Sequence, residues 1–516
     1  MSLLGLLYWL SRLIAIAAII HVLLDNRQPA KTMAWALVIY FIPILGVIAY
    51  IFFGVNRRKE RYISRRSLDQ LTKRSMLGFV EQRDLQIPDE FRSTIDMFVN
   101  QSFSLPFNNN KVEVLCDGYQ FFPRLLQDIA AATSHIHIDI YIFEDDALGR
   151  LVSDALIAKA RQGVEVRVVY DDVGCWNVKD RFFERMRVAG IEVEPFMPVR
   201  FPRFTSKANY RNHRKIIVID GLVGYIGGMN IALRYVKGTG RQPWRDTMMR
   251  IEGRGVYSLQ RAFLVDWYFV DRTMLSEEKY YPSQTSNFKL QTSNFKPQTS
   301  NTSNLKPQTS NFKLQTSNTS NFKLQTSNFK LQTSTLLQTV TSAPVSDYPE
   351  IMQGYIRIIM AAKKYIYIET PYFLPTMALH SALQMAAQSG VDVRLLVPLK
   401  SDARITEWAS RSYLREAVDA GIRVSFYKAG FLHSKLLVSD DTVATCGSTN
   451  VDFRSFENNF EANTFFYHGA VPAQLKEMFL ADEAQSISMH DVPGRMHRSF
   501  LVRLGESLAR LFSPLL

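Results

Sequence analysis

The sequence is poor in cysteine. Three occur in 516 residues, Cys116, Cys175 and Cys446, and none lies near another. Without a CxxC pair or a Cys/His cluster, a structural zinc site or a disulfide framework is disfavoured, and a reducing compartment fits. Acidic residues are also in deficit, 48 against 61 Lys and Arg, for a net charge of +13. That balance suits nucleic acid, anionic lipid or phosphorylated substrates without choosing among them. Residues 284–334, a run of QTSNFKL-type units, contain no acidic residue. Each unit has too few apolar side chains to offset the entropy of ordering it, and its Thr, Ser and Asn argue against a coiled coil despite the seven-residue spacing. The tract is expected to be disordered, with a small repetitive β-structure as the alternative. Elsewhere the composition, 47% hydrophobic and 21% charged, is that of a folded core.

Charge is missing from residues 33–53 (MAWALVIYFIPILGVIAYIFF) altogether. About 20 apolar residues cross a bilayer, so this run reads as a transmembrane helix. Residues 3–24 are nearly as apolar but carry Ser11 and Arg12. Arg12 is costly in lipid unless it snorkels or pairs. A cleaved signal peptide is the alternative there, weakened by the lack of a charged leader and of a small-residue cleavage site. Together the two runs predict a transmembrane hairpin over 1–55. Arg57, Arg58, Lys59, Arg61, Arg65 and Arg66 follow it, which places the rest of the chain in the cytoplasm. Residues 56–110 read as a basic juxtamembrane linker. At the far end, 491–516, Leu501, Leu504, Leu508, Leu511 and Leu515 recur at helical spacing with Arg503 and Arg510 between them. This amphipathic helix suits either a membrane surface or the protein body.

The remainder alternates strand and helix patterns, and does so twice. HIHIDIYIF (135–143) and GVEVRVVYDD (163–172) are matched by KYIYIETPYF (364–373) and GVDVRLLVP (390–398). RMRVAGIEVEPF (185–196) and NHRKIIVIDG (212–221) are matched by REAVDAGIRVSFY (415–427) and LHSKLLVSDD (432–441). The expected fold is therefore α/β: two duplicated halves, 111–283 and 341–490, about a pseudo-twofold axis, separated by an insert at 284–340.

Within that frame H-x-K-x4-D occurs twice, as His213, Lys215, Asp220 and as His433, Lys435, Asp440. Each His is followed by a small pair, Gly227-Gly228 or Gly447-Ser448, and then by Asn230 or Asn450. On a strand, His and Lys two apart share a face while Arg214 and Ser434 point the other way. If the turns after the strands are two-residue hairpins, Gly228 lies opposite His213 and Ser448 opposite His433, leaving room for a ligand. Asn230 and Asn450 then offer amide donors to phosphate oxygens. Asp220 and Asp440 end their strands and are assigned to turn and strand capping over direct chemistry.

These units resemble the HKD motifs of the phospholipase D superfamily, and the wider chain resembles bacterial cardiolipin synthases. The latter likeness runs through FIPILGVIAYIFFGVNRR, IFEDDALGRLVSDALIAKARQGVEVRVVYDDVG, IETPYFLPTMAL and GESLARLFSPLL. The repeat insert departs from that family, as does Ser342-Ala343-Pro344 where relatives usually have Ser-Gly-Pro. The resemblance implies that His213, Lys215, Asp220, His433, Lys435 and Asp440 form the catalytic set. His213 would be the nucleophile and His433 the general acid/base, with Asn230 and Asn450 on the phosphate. Asp246 and Glu461 would orient the histidines, and Asp246 is expected on a strand. It further implies transfer between two phosphatidylglycerol molecules, without metal or cofactor, at the inner membrane of a bacterial cell in a multi-pass protein. A homo-oligomer is compatible with this reading. A phospholipase D-type hydrolase, or a synthase with a phosphatidylethanolamine donor, is the alternative. A nucleic-acid enzyme fits poorly with a chain that opens on a membrane hairpin.

Overall fold

The computed structural model describes residues 3–25, 29–54, 64–82, 85–199, 209–239, 244–282, 332–496 and 498–515. Most of the basic flank (Arg57, Arg58, Lys59 and Arg61) and the repeat tract up to residue 331 lie outside the described residues.

Sixteen strands form one sheet. Numbered along the chain, the first-half strands are β1 Pro106–Leu115, β2 His135–Ile140, β3 Glu165–Asp171, β4 Glu192–Phe196, β5 Lys215–Ile219, β6 Val223–Gly227 and β7 Met248–Glu252. The second-half strands are β8 Gln332–Ser342, β9 Tyr365–Glu369, β10 Asp392–Pro398, β11 Arg423–Tyr427, β12 Leu436–Ser439, β13 Val443–Gly447 and β14 Asn459–Tyr467, with β15 Ser486–Ser488 at the edge. The short strand Arg211–Asn212 branches from β14. The sheet order is β15-β11-β10-β9-β12-β13-β14-β8-β1-β7-β6-β5-β2-β3-β4. Read outward from the antiparallel β1–β8 pair, each first-half strand meets its counterpart seven numbers later. The expected pseudo-twofold duplication is there.

The duplication extends to single glycines. Gly163 and Gly190 end first-half helices at φ +88 and +91, and Gly390 and Gly421 do so in the second half at +90 and +94. Only glycine adopts this left-handed exit without steric cost.

Strand alternation sorts the core. Ile217 and Ile219 face outward, under helices Gly118–Ala131 and Ala147–Arg161. Ile216 and Val218 face inward and share a core with Leu436, Val438 and Leu396 of the other half. Helices Val256–Asp271 and Ala470–Ala484 close that shared core.

Several expectations change. β8 begins at Gln332, inside the expected insert 284–340, because TLLQTV regains the apolar content the repeats lack. The supposed linker 56–110 contains helices Arg65–Val80 and Asp89–Ser102 and the start of β1. Phe91, Ile95 and Phe98 of the second helix are buried in the second-half core, with Phe98 against Phe465 at 4.7 Å between ring centres.

Near the N-terminus the long uninterrupted helix is Leu3–Asp25, and among the described residues its Gly5–Leu24 stretch alone is long and apolar enough to cross a membrane. The run 33–53 is instead broken into Pro29–Phe41 and Pro43–Phe53. Pro43 has no N–H to continue the ladder, and Ile42 leaves helical geometry at φ −129 and ψ 71. The bend is sharp enough that a Cβ on Gly46 would lie 2.8 Å from the carbonyl oxygen of Val38. Arg12 donates to the Tyr40 carbonyl at 2.8 Å, one of the acceptors that a helix end leaves unused. The first helix packs on both pieces through Ala15, Val22, Ile39 and Tyr50.

Candidate active site

Each strand that carries an H-x-K unit changes partners at its histidine. Residues Arg211–Asn212 pair with Asn459–Phe460 of the second half, whereas β5 pairs with β6 and β2 of its own half. Likewise Phe431–Leu432 pairs with Trp244–Arg245 of the first half before β12 joins β13 and β9. His213 and His433 occupy the two breaks. Their amides donate across the seam, His213 to Phe460 O at 2.9 Å and His433 to Arg245 O at 2.7 Å.

The side chains cross the same seam. His213 Nδ1 lies 2.9 and 3.2 Å from the two Glu461 carboxylate oxygens. His433 Nδ1 lies 2.6 Å from Asp246 Oδ2. Each half thus supplies the carboxylate for the other half's histidine. Glu461 sits on β14 as an ordinary strand residue. Asp246 was expected on a strand but occupies the two-residue gap between Trp244–Arg245 and β7. Lys215 Nζ donates to His213 O at 2.6 Å, and Lys435 Nζ lies 2.8 Å from His433 Nδ1.

Burial draws His213 down to about 4 against the pull of Glu461, and the two lysines add to the fall. Burial and Lys435 draw His433 down to about 3 despite Asp246. Burial would raise both acids, but Lys435 and His433 hold Asp246 low, and His213 and Lys215 do the same for Glu461. Burial also brings Lys215 down to about 7, with Glu461 opposing and Lys435 reinforcing. The site therefore holds neutral imidazoles on ionised carboxylates, beside lysines whose ammonium form an anionic phosphate would stabilise.

The small residues have a different use from the one expected. Ile219 pairs with Val223 and Ser439 with Val443, so the loops Asp220–Leu222 and Asp440–Thr442 have three residues, not two. The register shifts by one, and Gly228 falls opposite Arg214. A Cβ at Gly228 would lie 2.1 Å from Asp246 Oδ1, so its missing side chain houses the carboxylate and not a ligand. Ser448 donates its hydroxyl to Glu461.

Asp220 and Asp440 sit at the far ends of β5 and β12 in left-handed turn geometry, φ 54 and 53. Asp220 accepts from the amides of Thr133, Ser134 and His135, and Asp440 from those of Lys363, Lys364 and Tyr365. They cap the entrances of β2 and β9, and their carboxylates touch no other residue of the motif. Asn230 gives one N–H to Tyr235 Oη at 2.8 Å and accepts from the Ile142 amide at 3.0 Å. Asn450 is buried, and its Oδ1 has no hydrogen-bond partner among the described residues.

Two arginines have roles that the motifs do not announce. Arg214, facing away from Lys215, is buried, pairs with Asp266 and donates to Glu461 O at 3.1 Å. Arg245 pairs with Asp482 at 2.8 Å and donates to Asp246 O at 2.9 Å. Each braces the residue that carries the orienting carboxylate. A second buried acid, Asp139 or Glu369, stands beside each pair, and burial raises both, Glu369 to about 8. The available signal was a charge inside an apolar strand. Tyr141 flanks His213, while Trp244 and Phe431 flank His433.

A duplicated sheet that joins two H-x-K units at its seam defines a phospholipase D-type fold. The solved phosphatidylserine synthase of Haemophilus influenzae has this fold: it matches 82% of this chain and all of its own, with a TM-score of 0.56 at 12% identity. The family model described as cardiolipin synthase, PLD-like domain, matches residues 125–267 and 355–482, and a phospholipase D-nuclease N-terminal model matches 13–54. A cardiolipin synthase of Oceanobacillus iheyensis is 36% identical over all of this chain and 99% of its own length. The major cardiolipin synthase ClsA of Bacillus subtilis is 34% identical over the same shares. The chain belongs to the cardiolipin synthase family of the phospholipase D superfamily, the phosphatidyltransferases among them, and is membrane-associated.

Proposed function

We propose that the protein joins two phosphatidylglycerol molecules into cardiolipin and glycerol. The observation that carries the reading is the crossed pairing of each histidine with a carboxylate from the other half. His213 Nδ1 faces only carboxylate oxygens, which keeps its proton there and leaves the Nε2 lone pair for attack on phosphorus. As the P–N bond forms, the P–O bond to glycerol breaks, and His433, in the imidazolium form that the bound anionic phosphodiester favours, protonates the departing oxygen and is left neutral. His433 then takes the proton from the hydroxyl of a second phosphatidylglycerol. That oxygen attacks phosphorus and releases His213. Lys215 and Lys435, with Asn230 and Asn450, hold the phosphoryl oxygens as charge gathers. One phosphodiester replaces another, so no nucleotide is consumed. The Gly5–Leu24 helix anchors the catalytic body, and the basic flank after residue 56 supports a cytoplasmic orientation.

Purified protein given phosphatidylglycerol alone should yield cardiolipin and glycerol in equal amounts by mass spectrometry. Phosphatidic acid with glycerol would make it a hydrolase instead. Product only on adding phosphatidylethanolamine would change the donor.

A further inference from the structure

The helix Phe500–Arg510 is packed with its amphipathic faces reversed. Its polar side lies on the protein: Glu506 is buried, Arg510 donates to Glu416 Oε2 at 3.1 Å and stands 4.0 Å over the Tyr413 ring. A Cβ at Gly505 would be 2.8 Å from the Trp408 ring, so the helix is seated closely. The apolar side, Phe500, Leu501, Leu504 and Leu508, continues into Leu511 and Phe512 and faces solvent, with Leu501 76% and Leu511 74% exposed. Ile405 and Trp408, on the helix Arg404–Asp419 that it packs against, are exposed too. Water would drive such a stripe inward, but the ion pairs underneath hold it outward.

At the start of this helix three arginines share two carboxylates. Glu407 pairs with Arg411 and Arg495, and Glu506 with Arg498 and, at 3.9 Å, Arg411. Arg411, Arg495 and Arg498 line an open cleft of about 280 Å³ with Ser499 and Val502. Ser499 begins the helix without a side-chain cap, which leaves the positive end of its dipole uncompensated. An excess of guanidinium thus borders an outward apolar stripe.

We propose that this face is a membrane-docking surface, in which the stripe enters the lipid and the arginine cleft takes the phosphate of an anionic phospholipid. Phosphate and acyl chains adjoin in one lipid as cleft and stripe adjoin here. A second copy of the chain would bring like charges together. The anchor helix keeps a bilayer within reach of every copy.

The test uses the full chain with His213→Ala, which cannot consume lipid, in phosphatidylcholine liposomes with or without phosphatidylglycerol. Tracer lipids of either headgroup carry a photoreactive acyl chain, and labelled peptides are mapped by mass spectrometry. Residues 499–512 should be labelled, more by the phosphatidylglycerol probe. Leu504→Glu with Leu508→Glu should cut this labelling several-fold while the 5–24 helix, as internal standard, is unchanged. Arg495→Gln with Arg498→Gln should abolish the headgroup preference. An unlabelled 499–512 beside a labelled 5–24 would overturn the docking surface. Cross-links joining two copies through 499–512 would assign the face to self-association. Equal labelling by both probes in the parent protein would overturn the phosphate cleft.

Discussion

The two halves of the site perform one task with different parts. At one end a short acid, Asp246, reaches His433 across a gap kept open by Gly228. At the other a longer acid, Glu461, reaches His213 with both oxygens and is steadied by Ser448 and by Asn459 at 3.2 Å. The arginine braces differ in the same way: Arg214 comes from inside its H-x-K unit, Arg245 from beside its acid. Duplication conserved the geometry of the charge, not the position that supplies it. Acid length and the residue facing it are therefore coupled within each half.

The largest effect should come from the histidines themselves. His213→Ala and His433→Ala should each lower turnover by about 10³-fold or more with the protein still folded and inserted. Near-parent product formation by either would break the shared-site reading.

Next comes the coupling. Gly228→Ser forces a side chain onto the Asp246 carboxylate, and should cost about 10²-fold in kcat by unseating His433. Ser448→Gly removes one hydrogen bond to Glu461 and should cost about 10-fold. Equal losses in the two variants would erase the proposed asymmetry.

Lys215 sharpens the comparison through pH. Its folded value of about 7 lies below the usual 10.5, so without lipid it is largely neutral at pH 8. An anionic phosphodiester should restore the charge, so lipid binding at pH 8 takes up a proton and weakens as pH rises. Calorimetry in buffers of different ionisation enthalpy measures the uptake, and Lys215→Met should lower it by the Lys215 share. In the absence of lipid the same lowered pKa makes Lys215 add stability as pH rises from about 7 to about 10.5, because the unfolded chain holds the proton longer.

The smallest effect should follow removal of residues 284–331 with a short Gly-Ser join, leaving activity within a few-fold of the parent. Extending the cut through 334 removes the start of β8 and should cost thermal stability, read by the melting temperature.

Much of this was legible in the residues. Two H-x-K units in a repeated frame marked the histidines that the structure brings to the seam, because a pattern of that kind tolerates few residue types. Four ordered matches of apolar alternation marked the duplicated sheet, because strand pleat is local. Asp246 and Glu461 were also within reach as acids downstream of each motif.

What local pattern could not carry was decided by packing across the halves. Which acid serves which histidine depends on strands switching partners at the seam, a contact between residues some 190 to 250 apart. The hairpin loops took three residues because Asp220 and Asp440 are drawn back to cap β2 and β9. Pro43 divides an apolar run that hydropathy alone reads as continuous, since hydropathy counts transfer energy and ignores a missing N–H. Residue type and local periodicity carried the paired H-x-K units, the duplicated fold and an apolar N-terminal helix. The crossed pairing, the two arginine braces and the outward face of the C-terminal helix came from packing, because each depends on which distant groups are brought together.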